Sequence, residues 1–374
     1  MKLVKSKTPE QLLSDEEKVI QFLNNKNTLV AVQIAPAVRV AIGEEFGFPI
    51  GTNVVGKLVS GLKQAGFNYV YDVCAGADFT IIEESKELAR RFRQNTNLPV
   101  LTSCCPVWIK YLEYAYEDLA KNASTCKSPT EMLSTLIKHF SPNIKVVSVT
   151  PCVGKKLERT RDNNIDVSLT TRELASILKQ RGVNIADCVD ENFDELFGVS
   201  SGAGLIFGVT GGVTEAVLRT TVHILNNHLN SILEVKTNNS LTDEEFAINT
   251  IRTNEGIREC EINTAEGVLK IAIVNGISNA KKVLEEIKAG KEYHLVEVMN
   301  CQGGCINGPG QPYVDHSKIS NDELVRLRGG GLYALDHTNK IKTSHANENI
   351  LAVYKQLGEK NMEHLLHLSF KNSI

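Results

Sequence analysis

The sequence predicts an α/β protein built from parallel β-sheets that are covered by helices. Short runs of β-branched and apolar residues, such as 28–35 and 145–150, alternate along the chain with longer segments of helical periodicity. The chain has 374 residues, of which 42% are hydrophobic and 23% charged, as expected for a globular protein with a large buried core. This length permits two or three average domains or one large two-lobed unit.

The individual elements follow from local signals. Ser14 and Glu17 have the spacing of a capping box, which opens a helix, and Thr80 and Glu83 repeat that spacing. Strands are predicted where β-rich runs stop at a proline or at a cysteine. In chain order we predict a short helix from 14, a strand at 28–35, a helix within 51–66, a strand at 68–73, a helix from 80, and strands at 99–103, 145–150, 269–277 and 294–299.

Charge and hydropathy argue against several classes of function. Lys and Arg number 41 and Asp and Glu 44, giving a net charge of −3, so nothing indicates nucleic acid or a membrane surface as partner. No apolar run reaches the roughly 18–20 residues needed to span a bilayer. Residues 1–18 lack an apolar signal segment and are too acidic for a transit peptide, so we expect a cytoplasmic protein.

Nine cysteines are the most informative residues of the chain. An odd number in a long cytoplasmic chain favours free thiols or metal ligands over a disulfide framework. Four cysteines stand alone among apolar or helical residues and are predicted to be small buried hydrophobes, at positions 74, 126, 188 and 260. The other five lie in loops rich in Pro or Gly, at positions 104, 105, 152, 301 and 305.

Three predicted strands end just before these five cysteines. In open α/β sheets, ligands bind in the crevice beyond the carboxyl ends of the strands, so the three loops are expected to share one site. Structural zinc sites usually have two closely spaced pairs of ligands, whereas only Cys301 and Cys305 are so spaced here. Four thiolates from three distant loops fit a 4Fe–4S cluster better than zinc, which stays the alternative. Glycines around Cys305 allow backbone amides to approach cluster sulfur.

Two other patterns have weaker functional interpretations. The glycine-rich stretch 200–212 lacks the spacing of a dinucleotide fingerprint and the lysine of a phosphate-binding loop, so it is predicted to allow close backbone approach. His364 and His367 have helical spacing, but the leucines between them indicate packing rather than metal binding.

Three stretches resemble a known family. Residues 102–108 (TSCCPVW), 150–158 (TPCVGKKLE) and 297–312 (EVMNCQGGCINGPGQP) resemble, in order and spacing, the signature stretches of the iron-only (FeFe) hydrogenases. The resemblance runs from about residue 28 to the end of the chain. It implies two lobes, each a twisted, mostly parallel sheet flanked by helices, with the cofactor in the cleft between them.

The same resemblance implies a division of the chain. Residues 1–27 would be an N-terminal helical extension, and residues 28–317 the domain that holds the cofactor. Residues 318–374 resemble the hydrogenase small-subunit region and would wrap around that domain.

The cofactor implied by the resemblance is an H-cluster. This is a 4Fe–4S cube joined through one cysteine to a two-iron unit that carries CO, cyanide and an azadithiolate bridge. By matching position, Cys105, Cys152, Cys301 and Cys305 would hold the cube, and Cys305 would also bridge to the two-iron unit. Cys104 resembles the acid that relays protons to the bridging amine. A thiol suits this role because a modest environmental shift brings its pKa near the operating pH.

Further residues match the family pattern around the two-iron unit. Lys155 resembles the lysine that hydrogen-bonds an iron-bound cyanide, and an ammonium is electrostatically favoured beside an anionic group. Pro36 and Met299 match positions that line the two-iron pocket. Phe207, in the glycine-rich stretch, resembles another wall of that pocket.

Glu84, Glu87 and Ser124 match the family residues that carry protons from the surface to the cysteine. Glu84 and Glu87 are three residues apart and therefore share one helical face. The alternative is that these acids only interact with the dipole of the first helical turn. The chain departs from the usual family residues at Val107, Thr130, Thr150 and Pro309. The contacts that the pocket makes with the two-iron unit are therefore expected to differ from those usual in the family.

The resemblance implies an enzyme that reversibly reduces protons to hydrogen. Electrons would be exchanged with an external ferredoxin, since ferredoxin-like cysteine runs do not precede the matched region. Dedicated maturation enzymes would be further partners, because they make the two-iron unit. Two alternatives are a hydrogen sensor and an iron–sulfur assembly factor of the Narf-like type, which binds ordinary clusters without making hydrogen.

Overall fold

A computed structural model of the protein describes residues 13–161, 163–234 and 248–368. Its helices are α1 (Asp15–Asn24), α2 (Val55–Gln64), α3 (Val73–Gln94), α4 (Pro106–Ala115), α5 (Glu117–Ala120), α6 (Pro129–Phe140), α7 (Glu158–Arg161), α8 (Thr171–Gln180), α9 (Gly202–Leu205), α10 (Gly212–Asn226), α11 (Ile248–Ile251), α12 (Ile277–Lys288), α13 (Asn321–Thr338), α14 (Glu348–Leu357) and α15 (Glu359–Leu366). Its strands are β1 (Val30–Ile34), β2 (Tyr69–Asp72), β3 (Val100–Leu101), β4 (Lys145–Thr150), β5 (Val167–Thr170), β6 (Ile257–Thr264), β7 (Gly267–Asn275) and β8 (Leu295–Met299). Short 3-10 helices that bear on the site are Pro36–Val38, Val153–Leu157, Ile206–Gly208, Cys305–Asn307 and Ser344–Ala346.

The first sheet has the strand order β2-β1-β4-β5 and is parallel throughout. All five residues of β1 are buried, because helices cover both faces of the sheet, as is usual for parallel sheets. Val32 and Ile34 pack into one core with Leu58 of α2. Ala31 points the other way, into the largest core of the molecule.

The second sheet has the order β3-β8-β7-β6, in which only the edge strand β6 is antiparallel. Trp108 of α4 and Leu284 of α12 cover one face of this sheet. The largest core contains Ala31 of the first sheet and Leu295 of the second, so the two lobes share it. The predicted α/β class with two mostly parallel sheets is therefore confirmed.

The helix that carries the two predicted relay glutamates begins earlier than the sequence indicates. Asp72 is the N-cap of α3 and accepts a hydrogen bond from the amide of Cys74 at 2.9 Å. Thr80 lies inside the helix and donates to the carbonyl of Gly76 at 3.1 Å, so the predicted capping box of Thr80 and Glu83 is wrong. A Cβ at Gly76 would lie 2.2 Å from the carbonyl oxygen of Pro129, which explains a glycine inside the helix. The capping box of Ser14 and Glu17 is confirmed.

The glycine-rich stretch 200–212 packs closely against other backbone, as predicted. A Cβ at Gly204 would lie 2.5 Å from the carbonyl oxygen of Cys74 on α3. A Cβ at Gly208 would meet the Cβ of Ala37 at 3.3 Å. The close neighbours of these glycines are therefore parts of the protein itself, and they lock the stretch against α3 and the Pro36–Val38 turn.

In residues 13–161, 163–234 and 248–368, no helix has both the length and the apolar character that crossing a bilayer requires.

Candidate metal centre and proton relay

The five clustered cysteines lie in loops at the carboxyl ends of strands in both sheets. Cys104 and Cys105 follow β3, and Cys105 is the N-cap of α4. Cys152 follows β4 of the first sheet and caps the Val153–Leu157 turn, and its sulfur accepts a hydrogen bond of 3.3 Å from the amide of Gly154. Cys301 and Cys305 follow β8 of the second sheet. The strand-end prediction is therefore borne out by the placement of these cysteines, although the loops come from two sheets rather than one.

The three cysteine loops touch one another at glycines. A side chain does not fit at Gly154, because an added Cβ would lie 2.8 Å from Cγ2 of Val107. Val107 is two residues after Cys105 in the first cysteine loop. The amide of Gly310 donates to the carbonyl of Pro151 at 2.8 Å. The loop after β4 is thus packed between the other two, and Val107, where the family usually has glycine, fits against the bare backbone of Gly154.

The thiols predicted to bind the cube are close enough to influence one another. Burial raises the pKa of Cys301 to about 12, and the nearby Cys152 and Cys105 add to this. Burial also raises the pKa of Cys305, again with contributions from Cys105, Cys301 and Cys152. The four thiols therefore form one electrostatically coupled group.

Four thiols gathered from three loops are the donor set of a 4Fe–4S cube. Within the described part of the chain, which includes all of these cysteines, no three His, Cys, Asp or Glu side chains are gathered as ligands of one metal ion. A structural zinc site needs four ligands within about 2.3 Å of one metal. In an iron–sulfur cube each thiolate binds a different iron, so the ligands are farther apart. The donor set fits a 4Fe–4S cube.

Cys104 is in an environment unlike that of a ligand thiol. Burial and the charge of Glu84 raise the pKa of Cys104 well above its ordinary value, and Lys155 only partly offsets this. We expected the surroundings of Cys104 to bring its pKa near the operating pH. When only the groups of the protein act on the thiol, this expectation is wrong. The reason is that a buried thiolate beside a carboxylate is poorly solvated and repelled. Cys104 is held as a protonated thiol.

The three predicted relay residues come together beneath Cys104. Ser124 donates a hydrogen bond of 2.8 Å to Oε2 of Glu87. Both oxygens of Glu84 are buried, and no described residue makes a hydrogen bond to either of them. Burial, and after it repulsion from Glu87, raises the pKa of Glu84 to about 8. The side chain of Ser124 and the backbone of Ser103 oppose this rise because they are polar and close, although neither has the geometry of a hydrogen bond with Glu84. Glu84 can therefore gain and lose a proton near neutral pH.

Arg91 is a residue of this group that the sequence reasoning missed. Its guanidinium contacts Oε1 of Glu87 at 2.6 Å and donates to the carbonyls of Asn97 and Asn122, both at 2.9 Å. Arg91 lies four residues after Glu87, so the i,i+4 spacing of opposite charges was a signal for this pair.

A cavity of about 370 Å³ reaches the outer end of the group. Its lining includes Glu83, Glu87, Thr125 and His367. Thr125 lies 2.7 Å from Nδ1 of His367, and Nε2 of His367 lies 3.0 Å from Glu83. His367 is therefore held in a polar network rather than by apolar packing, while its predicted role as a structural residue stays a prediction.

Lys155 lies between Cys104 and a buried carboxylate. Its ammonium contacts Glu158 at 2.6 Å. Burial alone would lower the pKa of Lys155, but the Glu158 carboxylate outweighs burial, and the pKa is raised. Burial raises the pKa of Glu158, and the charge of Lys155 opposes this. No described residue makes a hydrogen bond to its second oxygen. Glu158, which the sequence reasoning did not single out, follows Lys155 by three residues on the same turn.

The predicted pocket residues are buried near the cysteines. Pro36 starts the 3-10 turn Pro36–Val38, which packs against the turn that contains Phe207. Phe207 and Met299 are 6% and 2% exposed and belong to one core, against which Cys104 packs. The structure thus brings Phe207, Met299 and Cys104 into one apolar environment.

Two of the departures from the family pattern are buried near the site. Thr150 donates to the carbonyl of Cys152 at 3.3 Å, so its hydroxyl stabilises that ligand loop. The carbonyl of Thr130 accepts a hydrogen bond of 3.1 Å from the side-chain amide of Gln33. The side-chain oxygen of Gln33 has no hydrogen-bond partner among the described residues.

Comparison with known families decides the assignment of the chain. A family described as "Iron only hydrogenase large subunit, C-terminal domain" matches residues 28–309. The chain belongs to the iron-only hydrogenase family. A second family, described as "Iron hydrogenase small subunit", matches residues 322–373 of this chain.

Several characterised proteins are similar over most of the chain. The "NADP-reducing hydrogenase subunit HndD" of Solidesulfovibrio fructosivorans is 37% identical, over 94% of this chain and 62% of that protein. "Iron hydrogenase 1" of Clostridium pasteurianum is 35% identical, over 96% of this chain and 64% of that protein. The chain thus spans less than two thirds of these relatives. A "Cytosolic Fe-S cluster assembly factor narfl" of Danio rerio is 29% identical over 94% of this chain.

A solved structure has the same fold. A variant of the [FeFe]-hydrogenase HydA1 from Chlamydomonas reinhardtii superposes with a TM-score of 0.76 at 32% identity, covering 95% of this chain and 98% of that one. Membership of this hydrogenase family implies iron–sulfur chemistry and an H-cluster.

Proposed function

We propose that this hydrogenase reversibly reduces protons to H2 at an H-cluster and exchanges electrons with a ferredoxin. The observation that carries the proposal is the half-buried thiol Cys104, which lies beside Glu84 and near the four thiols of three loops. An acid with a route to solvent, placed against a redox cofactor, is the arrangement that proton reduction requires.

In this proposal Cys105, Cys152, Cys301 and Cys305 would hold the 4Fe–4S cube, and Cys305 would also hold the two-iron unit. When bound, the H-cluster supplies the iron centre at which protons and electrons combine. A protein provides thiolates but cannot make CO, cyanide or azadithiolate, so maturation enzymes are expected partners. Residues 28–317 would form the cofactor domain, residues 1–27 an extension, and residues 318–374 the wrapping segment.

Glu84, Glu87 and Ser124 would carry protons between Cys104 and the cavity. When the thiol of Cys104 gives up its proton, the carboxyl of Glu84 donates one to the sulfur and becomes a carboxylate. Ser124 then donates its hydroxyl proton to Glu84 and accepts a proton from Glu87. A hydroxyl can do this because it both donates and accepts. The contact of 2.8 Å places Ser124 within proton-transfer distance of Glu87, but there the hydroxyl donates to the carboxylate. The relay therefore requires that Glu87 first takes a proton from the cavity side and that the hydroxyl then turns from Glu87 towards Glu84.

Lys155 and three apolar residues would position the two-iron unit. The ammonium of Lys155 remains charged beside Glu158 and is suited to hold an anionic ligand such as cyanide. Pro36, Phe207 and Met299 would line the pocket and exclude water. Excluding water strengthens the electrostatic interactions within the pocket.

The similarity to assembly factors supports a second candidate, a protein that binds ordinary iron–sulfur clusters without making hydrogen. Such a protein has no use for a half-buried acid at Cys104 with a raised carboxyl pKa beneath it. Infrared spectroscopy separates the two candidates, because only an H-cluster has CO and cyanide bands.

The test is to purify the protein anaerobically after expression with and without the maturation enzymes. Without them we expect one 4Fe–4S cluster per chain and no hydrogen production. With them, or with a synthetic two-iron compound, we expect CO and cyanide bands and hydrogen production. Zinc bound to the thiols in place of iron, or a matured protein without these bands, would contradict the proposal.

A further inference from the structure

Asn275 is the last residue of β7, the strand of the second sheet that lies beside β8. It is only 7% exposed. Its Cα pairs with Met299, so its side chain is next to the point where β8 ends and the loop with Cys301 and Cys305 begins. No cysteine follows β7, yet its carboxyl end meets the cysteine loop of the neighbouring strand.

The amide of Asn275 makes three hydrogen bonds, and all of them go to the backbone of this loop. Its Nδ2 donates to the carbonyls of Met299 at 3.1 Å and of Cys301 at 2.6 Å. Its Oδ1 accepts from the amide of Gly303 at 3.0 Å. Both donors and the acceptor of one side chain are therefore engaged, and they fix points before, at and after the first ligand of the loop.

Asn275 is itself held rigidly. Its amide nitrogen donates to the carbonyl of Gly256 at 2.8 Å, and its carbonyl accepts from Asn279 at 2.8 Å. The loop that it binds contains Gly303 and Gly304 at φ values of +77° and +100°, where glycine is favoured because other residues are strained. A segment with consecutive glycines has high conformational freedom in isolation, so an external anchor is needed to give it one conformation.

We propose that Asn275 is a positioning residue of the cofactor, which fixes the Cys301–Cys305 loop in the conformation that presents both ligands. The inference rests on the proposed function, because it concerns the loop that would hold the cube. Asn275 touches the backbone of a predicted ligand and of the pocket residue Met299, but no reacting group.

The alternative is that these hydrogen bonds only stabilise the fold. A merely structural amide would lower the melting temperature when removed and leave the properties of the cube unchanged. A positioning role changes the rate at which iron is lost and the reduction potential of the cube, because both depend on ligand placement and on the amides around sulfur.

The experiment uses the full chain expressed without maturation enzymes, so that it carries the cube alone. Asn275→Ala removes all three hydrogen bonds, and Asn275→Asp keeps the shape but loses both donors and adds a negative charge. Asn339→Ala is the matched control, since Asn339 also ties backbone together, donating to Ser200 at 3.0 Å and accepting from Ile341 at 2.9 Å, away from the cysteine loops. Iron loss to a chelator and the midpoint potential of the cube are measured for each.

We expect both Asn275 variants to lose iron about tenfold faster than wild type, as expected when two or three hydrogen bonds are removed. Asn275→Asp should also have the more negative midpoint potential of the two, because a carboxylate disfavours an added electron nearby. Asn339→Ala should match wild type in both measurements. Wild-type values in both Asn275 variants would overturn the inference alone. A wild-type protein that binds no cube would overturn the proposed function and this inference with it.

Discussion

Ser124 lies 2.8 Å from Oε2 of Glu87 and donates a hydrogen bond to it. The serine comes from the loop after α5 and the glutamate from the middle of α3, so the contact joins two elements 37 residues apart in sequence. Ser124 also lies near the carboxyl group of Glu84, to which no described residue makes a hydrogen bond. In the proposed relay, the hydroxyl would link the two acids.

The two adjacent cysteines are expected to respond differently to substitution. Cys105→Ala removes a cube ligand, so iron content and hydrogen production should fall together. Cys104→Ala should keep the iron content and the infrared bands but lower turnover about 100- to 10,000-fold, because a positioned acid is removed. Full activity of matured Cys104→Ala would contradict the relay.

Glu84→Gln should lower hydrogen production by a similar factor and leave the infrared bands of the resting cofactor nearly unchanged. In the wild type, Glu84 has a pKa of about 8, so it is protonated below that pH and ionised above it. Hydrogen production should therefore decline above about pH 8, and in Glu84→Gln this decline should be absent.

Glu83→Gln is the matched control for this prediction. Glu83 is buried on the same helix but faces Tyr354 at 2.7 Å and His367 at 3.0 Å rather than Ser124. We expect Glu83→Gln to keep the pH dependence of the wild type. The same pH profile in wild type and Glu84→Gln would show that Glu84 is not the titrating group.

Lys155→Met should impair binding of the two-iron unit and also destabilise the protein. It leaves the buried carboxylate of Glu158 with only the more distant cation Arg161, at 3.9 Å instead of 2.6 Å. Breaking a buried pair by removing one partner typically costs about 3–5 kcal/mol. The double variant Lys155→Met with Glu158→Gln should recover most of the stability, because no unpaired charge is then buried. Thermal unfolding measures the first effect and infrared spectroscopy the second.

The recovery of stability should not restore CO and cyanide bands, if Lys155 acts on the cofactor. Normal bands in the double variant would assign Lys155 to the fold alone.

Electron exchange with ferredoxin should weaken as salt is added, because docking between charged surfaces is screened. The rate with ferredoxin is measured from low salt to about 0.5 M, where the screening length is only a few ångströms. Methyl viologen, a small mediator, serves as the control for the chemistry itself. A ferredoxin-dependent rate that stays flat over this range would exclude electrostatic docking.

Much of the fold could be predicted from the sequence, because parallel strands buried on both faces have a distinctive run of β-branched residues. Strands β1, β2 and β4 of the first sheet and the placement of Cys152 directly after β4 follow from such local signals, whereas β5 was not predicted. The start of α3 did not, since the capping-box spacing of Thr80 and Glu83 predicted a helix from 80, whereas the helix begins at Val73 after its N-cap Asp72. Only the crossing with Pro129 of another helix explains why Gly76 lies inside it.

The sequence by itself determined the family, the cysteines and their place at strand ends, because motif chemistry and strand patterns are local properties. The tertiary structure alone decided that the cysteine loops come from both sheets, and that Asn275 binds the backbone around Cys301. It also decided that the carboxyl group of Glu84 is buried with no hydrogen-bond partner among the described residues. Its pKa is therefore raised to about 8. These properties depend on which distant groups pack together and exclude water, and spacing along the chain does not encode that.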